Sequence, residues 1–192
     1  LQSRFSEKEI LERGNFLNND TWFYPFLRHR VTFPIFNSSG KTIGFGGRVT
    51  DDSMPKYLNS KDSKFFNKTR ELYGFNNAKK DHKTEDFIVT EGYMDVVMLS
   101  EYGINNAVAS LGTAFSQNHM NSMFKLRRKI TFCFDSDEAG LKAAWRALQI
   151  SLKHVIDDNT VRFLFWPEGY DPDSFVKEKG DEEFYKKLDR AM

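Results

Sequence analysis

The 192-residue chain is 40% apolar and 15% aromatic, enough to bury the core of one domain or two small ones, which excludes disorder as the overall state. One Cys and four scattered His (His29, His82, His119, His154) argue against a disulfide framework or a zinc cluster and suit a reducing, cytoplasmic compartment; no apolar run approaches the ~18 residues of a membrane span, and the opening residues do not read as a signal peptide. The net charge of +1 conceals a division, because residues 1–83 carry 15 Lys and Arg against 9 Asp and Glu, and residues 84–192 carry 13 against 18; a basic half joined to an acidic half fits a protein that holds a polyanion on one side and cations on the other.

Two strands are expected in the first half, Val31–Phe36 and Thr42–Phe45, with Asn37-Ser38-Ser39-Gly40 as the hairpin turn between them. Gly46-Gly47-Arg48-Val49 and a loop-rich basic stretch to Arg70 follow. The polar segment from Asn76 to Asp86 marks the change to regular alternation, with strands at 87–91, 106–110, 129–135 and 160–166 and helices near 93–102, 116–127 and 138–153. Such alternation implies right-handed crossovers and a mainly parallel sheet. Ser174 to Leu188 reads as a helix interrupted by Gly180. The expected division is a basic subdomain over 1–83, an α/β subdomain over 84–174 and the start of a helical segment over 175–192. A first residue other than Met and an end soon after Leu188 suggest a piece of a longer protein.

Three acidic pairs stand at or just after the predicted strands: Glu91 with Asp95, Asp135 with Asp137, and Asp171 with Asp173. Ligand sites of open parallel sheets lie beyond the carboxyl ends of the strands, where all three pairs would converge. Gly92 permits a sharp turn after Glu91, so Asp95, in the first turn of a helix, either faces the same crevice or orients the helix that carries it. One-residue spacing in an extended stretch puts Asp135 and Asp137 on one face, and Asp171 and Asp173 repeat the device around Pro172. Two carboxylates ~5 Å apart repel by roughly 3 kcal/mol at an effective dielectric of about 20, so a cation must neutralise them. Oxygen donors without His or Cys favour Mg²⁺ or Mn²⁺, which activate a hydroxyl and stabilise a leaving pyrophosphate in phosphoryl transfer. The competing reading of each Asp is a turn former or helix cap, as at Asp137 before Glu138-Ala139-Gly140. Trp22, Phe23, Tyr24 and Phe26 are read as core rather than base-stacking residues, Trp145 as packing, and Cys133 as an inert strand residue.

Glu91-Gly92-Tyr93-Met94-Asp95-Val96-Val97, Ala109-Ser110-Leu111-Gly112-Thr113-Ala114, Phe134-Asp135-Ser136-Asp137-Glu138-Ala139-Gly140 and Gly169-Tyr170-Asp171-Pro172-Asp173 resemble the Toprim module of bacterial DnaG-type primases. Upstream, Arg30-Val31-Thr32-Phe33-Pro34-Ile35, Gly44-Phe45-Gly46-Gly47-Arg48-Val49, Pro55-Lys56-Tyr57-Leu58-Asn59-Ser60 and Phe66-Asn67-Lys68-Thr69-Arg70-Glu71-Leu72-Tyr73-Gly74 look like the basic subdomain that precedes Toprim in that family. The resemblance covers about residues 24 to 185, in family order. Two positions depart from the pattern: Ser136 stands where the family has Gly, and Pro25 interrupts a segment that there reads Tyr-Asp-Arg-Phe-Arg, which bears on the backbone around Arg28 and Arg30.

The resemblance implies an α/β Toprim domain, its mainly parallel sheet flanked by helices, preceded by a smaller mixed α/β basic subdomain and followed by the start of a helical segment. It implies synthesis of RNA primers from ribonucleoside triphosphates on single-stranded DNA during replication, a DNA-directed RNA polymerase reaction. Metal or catalytic roles fall on Glu91, Asp95, Asp135, Asp137, Asp171 and Asp173, with Mg²⁺ or Mn²⁺ as the cofactor and no zinc in this part. Arg48, Lys56 and Lys68, with Arg30, Asn59 and Arg70, would contact template backbone or nucleotide triphosphate, and the Gly-Gly pair before Arg48 would let a phosphate approach the backbone. In the full-length protein the partners would include the replicative helicase and single-strand-binding protein, with a monomeric chain and no membrane. The rival readings are a Toprim nuclease or topoisomerase fragment and a non-catalytic nucleic-acid-binding module.

Overall fold

The computed structural model describes residues 6–12, 16–19, 22–155, 158–167 and 169–192. The backbone divides into two compact units, Leu1–Lys68 and Thr69–Met192. Among the described residues no helix is long and apolar enough to cross a membrane.

The first unit opens with helix α1 (Glu7–Glu12) and an antiparallel pair, β1 (Phe16–Asn19) and β2 (Trp22–Pro25). A three-stranded antiparallel sheet follows in the order β3 (Val31–Phe36), β4 (Thr42–Arg48), β5 (Tyr57–Asn59). The expected hairpin turn joins β3 to β4: Asn37 Oδ1 accepts from the backbone N–H of Ser39 and Lys41, and Gly40 takes φ 83°, open to glycine at no steric cost. Ile35 and Phe66 form the buried centre of this unit. Short strands β1, β2 and β5 lack an alternating apolar signature and were not legible in sequence. The side chains of Trp22 and Phe23 lie outside the described residues, whereas Tyr24 and Phe26 are partly buried.

The second unit is a four-stranded parallel sheet in the order β7 (Ala107–Ala109), β6 (Asp86–Thr90), β8 (Lys129–Phe134), β9 (Thr160–Phe165). Strands β6, β7 and β8 are buried beneath the flanking helices, whereas β9, at the edge of the sheet, is mostly half-buried. Ile88, Val89, Ile130, Phe132 and Cys133 are almost wholly excluded from water. The strands alternate with α3 (Tyr93–Glu101), α4 (Gln117–Phe124), α5 (Glu138–Ser151) and α6 (Pro172–Asp189), after a short α2 (Phe75–Ala78). Helix α3 packs on α6, and α4 on α5. The chain runs from β6 outward to β7, then returns past β6 to β8 on its other side. The strand order therefore reverses between β6 and β8, and a crevice opens there beyond their carboxyl ends.

Residues 69–83, expected with the basic half, group with the second unit. Tyr73 exchanges backbone hydrogen bonds with Ala109, at 2.9 and 3.1 Å, and the Arg127 guanidinium donates to the carbonyls of Ala78, Asp81 and Asp86. Likewise α6 begins before residue 175, so the helix that carries Asp173 runs without a break across the expected 174/175 boundary. Gly180 kinks α6 where the interruption was expected, with φ 82° and ψ 170°.

Trp145 was expected to pack and instead is 62% exposed. The buried side of α5 is Gly140, Ala144, Ala147 and Ser151, a spacing of three and four that turns Trp145 about 100° away. Cys133 is buried as expected, and burial pushes its thiol far above the ordinary range, which leaves it unreactive.

Candidate functional site

Glu91 follows β6 and Asp135 follows β8, so neighbouring parallel strands deliver two carboxylates to the crevice where the strand order reverses. The backbone N–H of Asp135 donates to Glu91 Oε1 at 2.9 Å, tying the two strand ends together. Gly140 makes that approach possible: a Cβ there would overlap the Asp135 carbonyl oxygen and stand 3.0 Å from Glu91 Oε1. Helix α5 can begin directly over the acidic loop only with glycine at this position.

Asp137 caps α5, its Oδ1 accepting from the Gly140 N–H at 2.7 Å, and Asp171 caps α6, its Oδ1 accepting from the Ser174 N–H at 2.7 Å. Capping and metal binding are therefore not rivals here. Each cap uses one carboxylate oxygen, and the second retains its lone pairs for a cation. Asp171 and Asp173 do not share one face of an extended stretch, as expected from their spacing. Pro172 takes the first helical position, where its fixed φ is preorganised, and puts Asp173 into the first turn of α6. Asp173 Oδ1 is buried with no hydrogen-bond partner. Asp95 lies in the first turn of α3 and accepts from the Gly92 N–H at 3.0 Å, so it does fasten the helix that carries it.

Electrostatics join these side chains into one system. Burial first, and then the charges of Asp171, Asp135 and Glu91, push the Asp95 carboxyl up to about 7 against the Gly92 hydrogen bond. Glu91 is raised by burial, then by Asp135 and Asp137, in opposition to the Asp135 hydrogen bond. Asp135 is raised by burial and by Asp171 and Asp137. Five of the six expected carboxylates thus sit in one another's field. Asp135, Ser136, Asp137, Gly169, Tyr170 and Asp171 line a cleft of about 460 Å³, which Ser136 and Tyr170, inside the motifs but not expected as site residues, help to form.

The donor set fits Mg²⁺ or Mn²⁺: all oxygen, negatively charged, partly desolvated, with one buried carboxylate oxygen lacking a partner. Among the described residues no group of three or more His, Cys, Asp or Glu could by itself enclose an ion. An open set of this kind matches an ion that keeps several waters and takes one or two carboxylates together with substrate phosphates.

In the first unit, Arg48 and Tyr57 are paired across β4 and β5, and the tyrosine ring carries two cations, the Arg48 guanidinium at 5.7 Å and Lys56 Nζ at 5.9 Å from its centroid. Arg30 donates to the carbonyls of Pro55 at 2.7 Å and Lys56 at 3.2 Å, so it braces the segment that presents Lys56. Asn59 Oδ1 is buried without a hydrogen-bond partner. The space expected beside Gly47 for a phosphate is filled by the protein: a Cβ there would stand 3.1 Å from the side chains of Arg30 and Leu27. Lys68 lies elsewhere, with its backbone N–H on the Asp62 carboxylate. Arg70 belongs to the second unit, where its charge acts on Glu71.

Residues 1–79 match the family model described as the DNA primase catalytic core, N-terminal domain, and residues 88–176 match the Toprim-like model. The chain is 49% identical over 184 residues to the DNA primase of Pseudomonas aeruginosa, covering 94% of this chain and 28% of that one. It is 43% identical over 189 residues to the DNA primase of Escherichia coli, covering 97% and 32%. The E. coli primase catalytic core superposes with a TM-score of 0.93 at 42% identity, over 99% of this chain and 63% of that one. The chain belongs to the DnaG-type DNA primases. A DnaG primase catalytic domain solved bound to single-stranded DNA superposes with a TM-score of 0.91 at 42% identity, over 99% of this chain and 64% of that one. The chain spans about a third or less of the curated relatives it matches. Its mixed α/β architecture, with the parallel Toprim sheet flanked by helices, is that of the family's catalytic core.

Proposed function

We propose that this chain carries the nucleotidyl-transfer centre of a primase, joining ribonucleotides on single-stranded DNA with release of pyrophosphate. The observation that carries the reading is the gathering of Glu91 and Asp135 at the ends of two adjacent parallel strands, with the Asp171 charge acting on Asp135, where burial and neighbouring carboxylates raise both the Glu91 and the Asp135 carboxyl. Negative charge gathered at the head of a sheet is stable only with a cation present, and a triphosphate brings further negative charge that needs the same cation. When bound, Mg²⁺ or Mn²⁺ would neutralise the phosphates and lower the barrier to displacement of pyrophosphate.

The chain's own residues divide the remaining work. Asp135, Asp137 and Asp171 would hold the ion through the oxygens not used in hydrogen bonds, with Asp173 and Asp95 completing the acidic shell. Glu91, fixed by the Asp135 N–H and partly desolvated, would serve as a ligand or accept the proton of the attacking hydroxyl through its second oxygen. In the first unit the half-buried Arg48 and the exposed Lys56 supply positive charge for template or triphosphate, Arg30 braces Lys56, and Asn59 offers a buried acceptor. Lys68 and Arg70 add charge at the junction of the sequence segments. The proposed organisation keeps the expected order of basic, Toprim and helical subdomains, with the first boundary moved to 68/69 and the helical part opening with α6 at Pro172. A primase of this kind would act as a monomer beside the DNA in the cytoplasm, with the replicative helicase and single-strand-binding protein as partners of the longer protein.

Primer synthesis on a single-stranded template with labelled ribonucleotides tests the reading. Glu91→Gln and Asp135→Asn are expected to abolish the product, and Mn²⁺ titration calorimetry should show weakened ion binding in Asp135→Asn. Retained synthesis in both variants would overturn the assignment. Cleavage of labelled DNA with ribonucleotides omitted would transfer the site to a nuclease or topoisomerase.

A further inference from the structure

The first unit has a second cleft, of about 720 Å³, at the end of β4 opposite Arg48. Lys41, Thr42, Ile43, Phe45, Lys64 and Phe65 line it. Of two adjacent phenylalanines, Phe66 is 1% exposed and Phe65 is 63% exposed. Phe66 is pressed onto β4, where a Cβ at Gly44 would stand 3.3 Å from its ring, and the Ser63 N–H donates to its carbonyl at 2.8 Å. Burying Phe66 in this way turns Phe65 outward, and the Phe65 N–H is held by Ser63 Oγ at 3.2 Å. The ring is thus offered to solvent from an anchored backbone.

The cations beside it are also placed by the fold. Lys41 is fixed at the end of the hairpin, its N–H on Asn37 Oδ1 at 2.9 Å and its carbonyl accepting from the Asn37 N–H at 2.9 Å. Lys64 pairs with Glu12 at 3.1 Å, but both side chains are solvent-accessible, and such a pair is weak enough to yield to a phosphate. An aromatic face in one cleft with two ammonium groups is the combination by which proteins hold unpaired nucleic acid, stacking a base on the ring and tracking the phosphates with the cations.

We propose that Phe65 is a stacking platform for an unpaired base of single-stranded DNA, with Lys41 and Lys64 on the flanking phosphates. The inference rests on the primase reading and extends its strand-binding surface. The seven residues of β4 separate the cleft from Arg48 by about 20 Å, at ~3.3 Å per residue. That distance takes several nucleotides, so the two ends of β4 engage one strand only when it is long enough.

Fluorescence anisotropy with labelled oligonucleotides and the 192-residue chain tests this. Phe65→Ala should weaken binding of a strand of about 12 nucleotides roughly tenfold, and leave a strand of about 4 nucleotides and a duplex unaffected. Lys41→Ala should lower the slope of log affinity against log salt for the long strand by about 0.7. Phe65→Trp should retain binding and gain a tryptophan fluorescence quench on strand addition beyond that of the unsubstituted chain. Equal affinity of Phe65→Ala and the unsubstituted chain for the long strand would overturn the platform. So would equal weakening on duplex, or a Phe65→Trp variant with no added quench. If the unsubstituted chain binds no single-stranded DNA at all, the primase reading fails first; if it binds and Phe65→Ala changes nothing, only this inference fails.

Discussion

Replacing Asp95 by Asn should stabilise the metal-free protein strongly at pH 8 and much less at pH 5. The carboxyl titrates near 7 in the folded chain against an ordinary value of 3.8, chiefly because burial penalises its charge. The folded state therefore binds more protons than the unfolded state between those values, and stability falls as pH rises from about 4 to 7, then stays level in respect of this group. At about 1.4 kcal/mol per pH unit the accumulated cost at pH 8 is about 4 kcal/mol. Asn keeps an oxygen for the Gly92 N–H, but a neutral acceptor is weaker by about 1 kcal/mol. The net gain at pH 8 is about 3 kcal/mol, or about 6–12 °C in Tm for a chain of this size. Thermal unfolding of both proteins in a chelator at pH 5 and pH 8 provides the four values. A variant no more stable than the parent at pH 8, or equally stabilised at both pH values, would show that the buried charge is not the burden described here. Excess Mn²⁺ should reverse the ranking, because the ion stabilises the acidic parent by mass action.

Substitutions at three further positions test other parts of the structure. Gly140→Ala should push the first turn of α5 off the Asp135 carbonyl, costing about 2 kcal/mol in urea unfolding and lowering Mn²⁺ affinity in the same protein. Arg127→Ala should cost about 3 kcal/mol, because it takes a charged donor from the carbonyls of Ala78, Asp81 and Asp86 and uncovers the Phe87 ring, 4.5 Å from the guanidinium. Arg127→Lys should recover little of that in the same unfolding assay, since a point charge cannot serve three divergent acceptors. Arg30→Ala should cost about 1–2 kcal/mol through the lost Pro55 and Lys56 contacts, and should weaken single-strand binding in anisotropy as Lys56 loses its brace.

What the sequence by itself determined are the features written in local patterns. The runs at Phe87-Ile88-Val89-Thr90 and Ile130-Thr131-Phe132-Cys133-Phe134 are strands because they are apolar, β-branched or aromatic and bounded by turn residues, and the structure ends them at Thr90 and Phe134, next to Glu91 and Asp135. The hairpin at Asn37 and the kink at Gly180 were legible for the same reason, since side-chain chemistry within a few residues dictates them. Tertiary structure alone decided the rest. Strand order is a matter of which runs pair across dozens of residues, and it is what puts β6 beside β8 and Glu91 against the Asp135 N–H. Trp145 faces water because the phase of α5 is set by the small residues that meet the sheet, not by the most apolar side chain on the helix. The space beside Gly47 went to Arg30 and Leu27, and Asp95 acquired its raised carboxyl, because close approach and desolvation depend on which distant segments arrive at a point, and a linear pattern of residue types does not contain that.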